Sequence, residues 1–279
     1  SSASAFNKDI GSWDVGNGTN FYKMFYNADE FNQDISTWTI NENAILTEMF
    51  YGADLMQSNH GVSDTPSIYY FNSYVFEDKS TLQTAIDAWI NDQDAATETY
   101  GDINTWDVSA ITDFSSLFAN KTTFNSDISN WDVSNGTNFS YMFSDAELFN
   151  QDIGSWDVGK GTDFYAMFYE ASSFNQDIGS WDVSNGTDFR VMFEGVKYFN
   201  QDLSNWTIDD EANLTDMFDG ADLMQSYQGV DATPSIAYFN PFEDKASLQT
   251  AIDAWINDQD AATETYGDIN TWDVSAITD

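Results

Sequence analysis

The sequence predicts an α+β repeat solenoid of stacked coils of ~25 residues, each a short strand plus a short helix or 3₁₀ turn, with array-capping amphipathic helices. Three observations predict it. First, Phe6, Phe31, Phe124, Phe149, Phe174 and Phe199 each open a motif of the form F-N-x-D-I-x-x-W-D-V-x-x-G-T-x-F-x-x-M-F-x-x-A, and within each run they stand 25 residues apart. Second, a Trp column (Trp13, Trp38, Trp106, Trp131, Trp156, Trp181, Trp206, Trp272) and a Met/Leu-Phe column from Met24-Phe25 to Met217-Phe218 keep the same phase. Third, a longer period overlies the first: Phe76 to Asp113 recurs almost verbatim from Phe242 to Asp279, a shift of 166. One such unit cannot bury its aromatic face alone, so neighbours must stack to make a common interior.

Within a coil, Trp13 and Val15 flank an outward Asp14, the alternation of a short half-buried strand. Asn17-Gly18-Thr19 supplies a turn. Phe21, Met24, Phe25 and Ala28 then fall on one face of a short helical turn. Coils of this kind would stack at about 4.8 Å, the spacing of neighbouring strands. Between runs the pattern changes. Leu82, Ala85, Ile86, Trp89 and Ile90 have the spacing of an amphipathic helix that ends at Gly101. Its N-cap is Asp78, because Ser80 becomes Ala246 in the duplicate whereas Asp78 is kept as Asp244. The stretches Thr65-Pro66 to Phe71 and Thr233-Pro234 to Phe239 read as strands begun by Pro that close an array.

The resulting organisation is the end of a first array with its closing strand (1–77), a capping helix (78–101), a second array (102–241), a second capping helix (242–267) and the start of a third array (268–279). The pattern begins and stops mid-unit, which reads as a cut from a longer array.

Composition narrows the function classes. The chain of 279 residues is 42% hydrophobic and 16% aromatic, enough to build a sizeable core. Eight Lys+Arg against 47 Asp+Glu give a formal charge of −39, which repels phosphate backbones and anionic headgroups. Nucleic acid is therefore excluded as a partner. No run reaches the roughly 18 apolar residues of a membrane span, so membrane insertion is excluded as well. Cys is absent and His60 stands alone, with Gln228 as its counterpart in the second copy. Triads and thiolate or imidazole metal sites are thus out of reach, and the chain is read as no enzyme.

The string F-N-Q-D-I-x-x-W-D-V-S-N-x-T-x-F-x-x-M-F, almost complete from Phe174 to Phe193, resembles the BspA-like surface repeats, the 25-residue type of mycoplasma lipoproteins. The resemblance covers nearly the whole chain. It implies kinship with leucine-rich-repeat solenoids, exposure on a cell surface, and a role in adhesion or envelope architecture, with no catalytic residue. The departure is Gly18, Gly136, Gly161 and Gly186 where the family places Val, read as a looser turn.

Stacking puts like side chains in rows. Asp9, Asp34, Asp127, Asp152, Asp177 and Asp202 form one row and Asp14, Asp107, Asp132, Asp157 and Asp182 another, with Asp9, Asp14, Asp127, Asp132, Asp152, Asp157, Asp177 and Asp182 as the candidate metal ligands. Carboxylates about 5 Å apart repel by roughly 0.8 kcal/mol in bulk-like dielectric, so something should offset them. Turn amides would do so; Ca²⁺ held between the rows is the alternative, and the one cofactor these residues suggest. Thr19, Thr112, Thr137, Thr162 and Thr187 form a row that is either a turn-capping ladder or an ice- or polysaccharide-binding face. Glycosylation sequons stand at Asn17, Asn120, Asn135, Asn138, Asn185, Asn205 and Asn213.

The function these features imply is that of a structural tandem-repeat segment of an extracellular adhesin, stalk or filament. Its partners would be neighbouring repeats or copies of itself. The alternative is a binding module for carbohydrate or a host-surface protein. The two differ in where the copies diverge: scattered differences suit a spacer, and one distinct aromatic patch suits a binding module.

Overall fold

A computed structural model describes residues 4–60, 62–239, 245–266 and 269. The chain forms two compact units, Ser1–Phe76 with Asp87–Asp107 and Glu77–Ile86 with Val108–Asp279. In order along the chain the helices are α1 (Asp54–His60), α2 (Lys79–Asn91), α3 (Gln93–Tyr100), α4 (Asp222–Tyr227), α5 (Ile236–Phe239), α6 (Lys245–Asn257) and α7 (Gln259–Tyr266). Single 3₁₀ turns lie at Ile68–Tyr70 and Ile103–Thr105.

The expected α+β solenoid of strand plus helix is not what forms. Among the described residues there is no sheet. Coils of the second unit touch through single-residue parallel bridges, Asp113 to Asn138, Asn138 to Asp163, Asp163 to Asp188 and Asp188 to Asn213. The α-helices fall between the runs of coils, not within them. Two physical causes account for the difference. In the F-x-x-M-F-x-x-A segment the third and seventh residues are left-handed: φ is 57° at both Tyr141 and Asp145, and 53° at both Ala166 and Glu170. A right-handed helix cannot pass through such residues. In the W-D-V segment the alternation is real, for Trp131 and Val133 are 3% and 1% exposed while Asp132 faces water. It records side-chain direction only, because Trp131 N–H turns back to the Ile128 carbonyl and Gly136 N–H to that of Val133.

In place of helix or strand there is a division of labour between alternate backbone amides. Phe139, Tyr141, Phe143 and Asp145 donate to the carbonyls of Asp163, Tyr165, Met167 and Tyr169 in the next coil, at 2.7–2.8 Å. Between them, Met142, Ser144 and Ala146 donate to carbonyls three residues back in their own coil. The pattern repeats from Phe164 and Phe189, and in the first unit Phe21, Phe25 and Asn27 donate to Ile45, Met49 and Tyr51. Backbone polar groups are thus satisfied in a path that is neither regular structure.

The core of each unit is aromatic. Phe143 stacks on Phe149, six residues on, at 3.9 Å and on Phe118 and Phe168, one repeat before and after, at 5.3 and 5.6 Å. Trp131, Trp156, Trp181 and Trp206 are 1–4% exposed. The indole N–H of Trp156, Trp181 and Trp206 donates to the carbonyl of Ile128, Ile153 and Ile178 in the preceding coil, at 3.0–3.2 Å. Each buried ring therefore also carries a satisfied polar tip.

The closing stretches are likewise not strands. Asp64 carbonyl and Thr65 hydroxyl accept the Phe50 and Glu48 amides of the last coil, and Ala232 and Thr233 do the same for Phe218 and Asp216. The chain then turns so that Phe71 stacks on Trp38 and Phe239 on Trp206, at 6.5 and 6.4 Å. Segment 78–101 is two helices. Asp78 caps α2 through the Thr81 amide at 2.9 Å, and Asp92, with extended backbone, ends it and caps α3. Gly101 closes α3 at φ 77°, where a Cβ would lie 2.6 Å from the Tyr69 carbonyl. Asp244, Trp272 and the expected third array at 268–279, Ile269 apart, lie outside the described residues.

Candidate functional site

The rows foreseen as metal ligands face water as a series of identical turns. Asp127, Asp152 and Asp177 each accept the amide two residues on at 2.9–3.0 Å, as do Asp132, Asp157 and Asp182 at 3.0–3.1 Å. Asp9 and Asp14 do the same with Gly11 and Gly16, at 2.9 and 3.2 Å. A third row, Asn138, Asp163, Asp188 and Asn213, repeats the motif one turn further on. Side-chain oxygens thus shape the backbone at fixed points of every coil. Ser134 and Ser184 hydroxyls, with their amides, hold the Asp132 and Asp182 carboxyls below their usual range. Successive members of one row do approach one another: a Cβ on Gly159 would lie 3.2 Å from an Asp157 oxygen and 3.5 Å from one of Asp182. Among the described residues, no three or more His, Cys, Asp or Glu gather closely enough to hold a metal ion.

Between these rows runs a ladder that the sequence reading missed. Asn125 Oδ1 accepts both the Asn150 amide and the Gln151 side-chain amide of the next coil, at 2.9 and 3.0 Å. Asn150 and Asn175 repeat it with Asn175-Gln176 and Asn200-Gln201. The signal was present in the recurring F-N-Q. His60 belongs to the last rung, its Nε2 3.0 Å from Asn32 Oδ1, and Gln228 makes the equivalent bond to Asn200 at 3.2 Å.

The Thr row is a ladder too, for Thr137, Thr162 and Thr187 each place amide and hydroxyl on the carbonyl of the Thr before. Of the sequon residues, Asn17, Asn120, Asn135, Asn185, Asn205 and Asn213 are exposed and Asn138 half-buried. Asn135 and Asn185 reach back to the carbonyls of Ser109 and Gly159, a structural use for the position.

One of the stretches that differ between coils is a ribbon made by the outward positions of the F-x-x-M-F-x-x-A segment. In the first unit it carries Tyr22, Lys23, Tyr26, Glu48 and Tyr51; Lys23 lies over the Tyr22 and Tyr26 rings and 2.9 Å from Glu48. In the second unit it carries Tyr141 and Tyr165, edge to face at 4.9 Å, with Arg190 over the Tyr165 ring at 4.8 Å. Arg190 is the only Arg of the sequence and pairs with Asp188.

Residues 1–89, 90–197 and 162–255 each match one family, described as Mycoplasma protein of unknown function, DUF285. The chain belongs to this family. The second and third DUF285 matches overlap at 162–197, as a motif repeating every coil permits. Neither the curated proteins nor the solved structures gave a match. In this DUF285 chain the coils share their buried rings, their Asx turns and their Asn-Gln ladder, all parts of one scaffold. Among its described residues no helix is long and apolar enough to cross a membrane.

Proposed function

We propose that this DUF285 chain is a non-catalytic scaffold segment of an extracellular adhesin, stalk or filament, working through stacked repeats and display of an acidic surface. The observation that carries this reading is that nearly every residue type kept from coil to coil has a packing or hydrogen-bonding role inside the stack, as the Phe143, Trp156 and Asn150 positions illustrate. A chain that spends its recurring residues on self-support is suited to spacing and display. The resemblance to BspA-like surface repeats supports the same placement. The test is electron microscopy of the native material with labelling of intact cells. Surface-bound filaments are expected, and a purely internal label would overturn the reading.

The ribbon favours a second reading, recognition of carbohydrate or a host-surface protein. Its residues change from coil to coil, and Tyr and Arg are among the residues enriched in recognition surfaces. Dispersed particles that bind a glycan or protein ligand would favour it over the filament.

A further inference from the structure

The first unit contains a cavity of about 710 Å³, within the range of about 300–1,000 Å³ of small-ligand sites, which the scaffold reading does not use. It opens beside the closing stretch and α3. Tyr69 and Tyr70 form an aromatic wall, and Asp34, Asp94, Glu98 and Asp102 line the remainder. No Lys or Arg is among the lining residues. The hydroxyl of Tyr70 is buried with no hydrogen-bond partner.

Comparison of the two copies within the chain sharpens the assignment. The carboxylates recur as Asp202, Asp260, Glu264 and Asp268, and Tyr70 recurs as Tyr238. His60, Ser63 and Tyr69 become Gln228, Asp231 and Ala237, so the first copy alone has the second aromatic ring. A concave site with four carboxylates, two tyrosine rings and His60 as its one basic side chain concentrates positive charge and offers it an aromatic wall.

We propose that this cavity binds an organic cation, an ammonium or guanidinium group, with Tyr69 as the stacking wall and Glu98 among the charge partners. The group could arrive on a free polyamine or on a Lys or Arg side chain of a protein; the chemistry is the same. This goes beyond the scaffold reading, and neither depends on the other.

The test is isothermal titration of the full chain at about 0.15 M salt, where long-range attraction is largely screened. The probes are spermidine, a tetra-arginine peptide and, as a neutral comparison, cellotetraose. Saturable binding of a cationic probe at one site is expected, with spermidine or the peptide preferred according to the source. Tyr69→Ala, the residue of the second copy, should weaken it about fivefold or more, and so should Glu98→Gln, an exposed change that leaves the Tyr69–Tyr74 ring contact intact. Asp152→Asn, equal in charge change but on an Asx row of the other unit, should leave it unaltered. The proposal is overturned by absence of saturation with either cation, by an equal loss in Asp152→Asn, or by cellotetraose binding in their place.

Discussion

At the scale of single residues, the glycine before each Thr illustrates how a sequence can show a position and hide its reason. Gly161 reads as a loosening of the turn. In the structure a Cβ there would come 2.4 Å from Cζ of Phe164, and Gly136 and Gly186 stand in the same relation to Phe139 and Phe189. The ring lies on bare backbone, and where Leu46 and Leu214 replace the ring, Asn43 and Glu211 replace the glycine. Gly161→Ala should therefore cost about 1–3 kcal/mol through overpacking, read as a lower denaturation midpoint with unchanged slope. His60 offers the opposite case. As Gln228 makes the same bond, His60→Gln should leave stability within about 0.5 kcal/mol in the same denaturation experiment. A larger loss would mean that the imidazole has a role beyond the ladder. The rows of Asp and Thr were legible because they recur at a fixed spacing. The Asn-Gln ladder was not, since a bond from the Gln151 side chain to Asn125 depends on how far one coil is displaced along the next.

At the scale of elements, apolar spacing indicated the buried face correctly and the backbone wrongly. Phe139, Met142, Phe143 and Ala146 are all fully buried, as a helical stripe would be, yet Tyr141 and Asp145 between them are left-handed. Side chains at one, three and four steps can share a face in a run of tight turns as well as in a helix. The discriminating signal lies in the seventh position of the segment, occupied by Asn27, Gly52, Asn120, Asp145, Glu170, Gly195 and Gly220, mostly residues that tolerate positive φ. The third position is less well adapted. Val191, at φ 51°, is a β-branched residue in a conformation that costs it roughly 1–2 kcal/mol. Val191→Asn should raise stability by about 1 kcal/mol, measurable as a higher melting temperature, because Asn tolerates that geometry better. If the segment were instead a helix in solution, the same substitution would leave stability nearly unchanged, since Val and Asn have similar helix propensities. The experiment thus discriminates between the two backbones.

At the scale of the whole molecule, the repeat was legible and the balance of charge was its consequence: 47 acids against eight bases, a formal −39, arranged in rows. Two groups of carboxyls respond oppositely to acid. Hydrogen bonds led by serine hydroxyls hold Asp34, Asp132 and Asp182 below the ordinary 3.8, and Asp78 at about 2. Their folded forms bind protons less tightly than the unfolded chain does. The stability they contribute is complete above 3.8 and is lost as pH falls from there through the folded values. Glu194 is raised above 4.5 by burial and by the nearby Asp219, Asp216 and Glu170. Its cost is complete at neutral pH and is relieved as pH falls through its folded value towards 4.5. Repulsion between the rows has the same sign as Glu194, for every proton taken up reduces the net charge. At low ionic strength the melting temperature should therefore rise between pH 7 and about 5, then fall below about 4. Raising the salt from about 0.01 M to 1 M contracts the Debye length from about 30 Å to 3 Å. It should raise the pH 7 value and flatten the rise, but leave the acid fall in place, because Asx-turn hydrogen bonds act at contact distance. Calorimetry across that grid of pH and salt decides it: a melting temperature that declines steadily from pH 7 downward at low salt would mean that the rows are already neutralised, and bound cations would then be the first explanation to test by chelation.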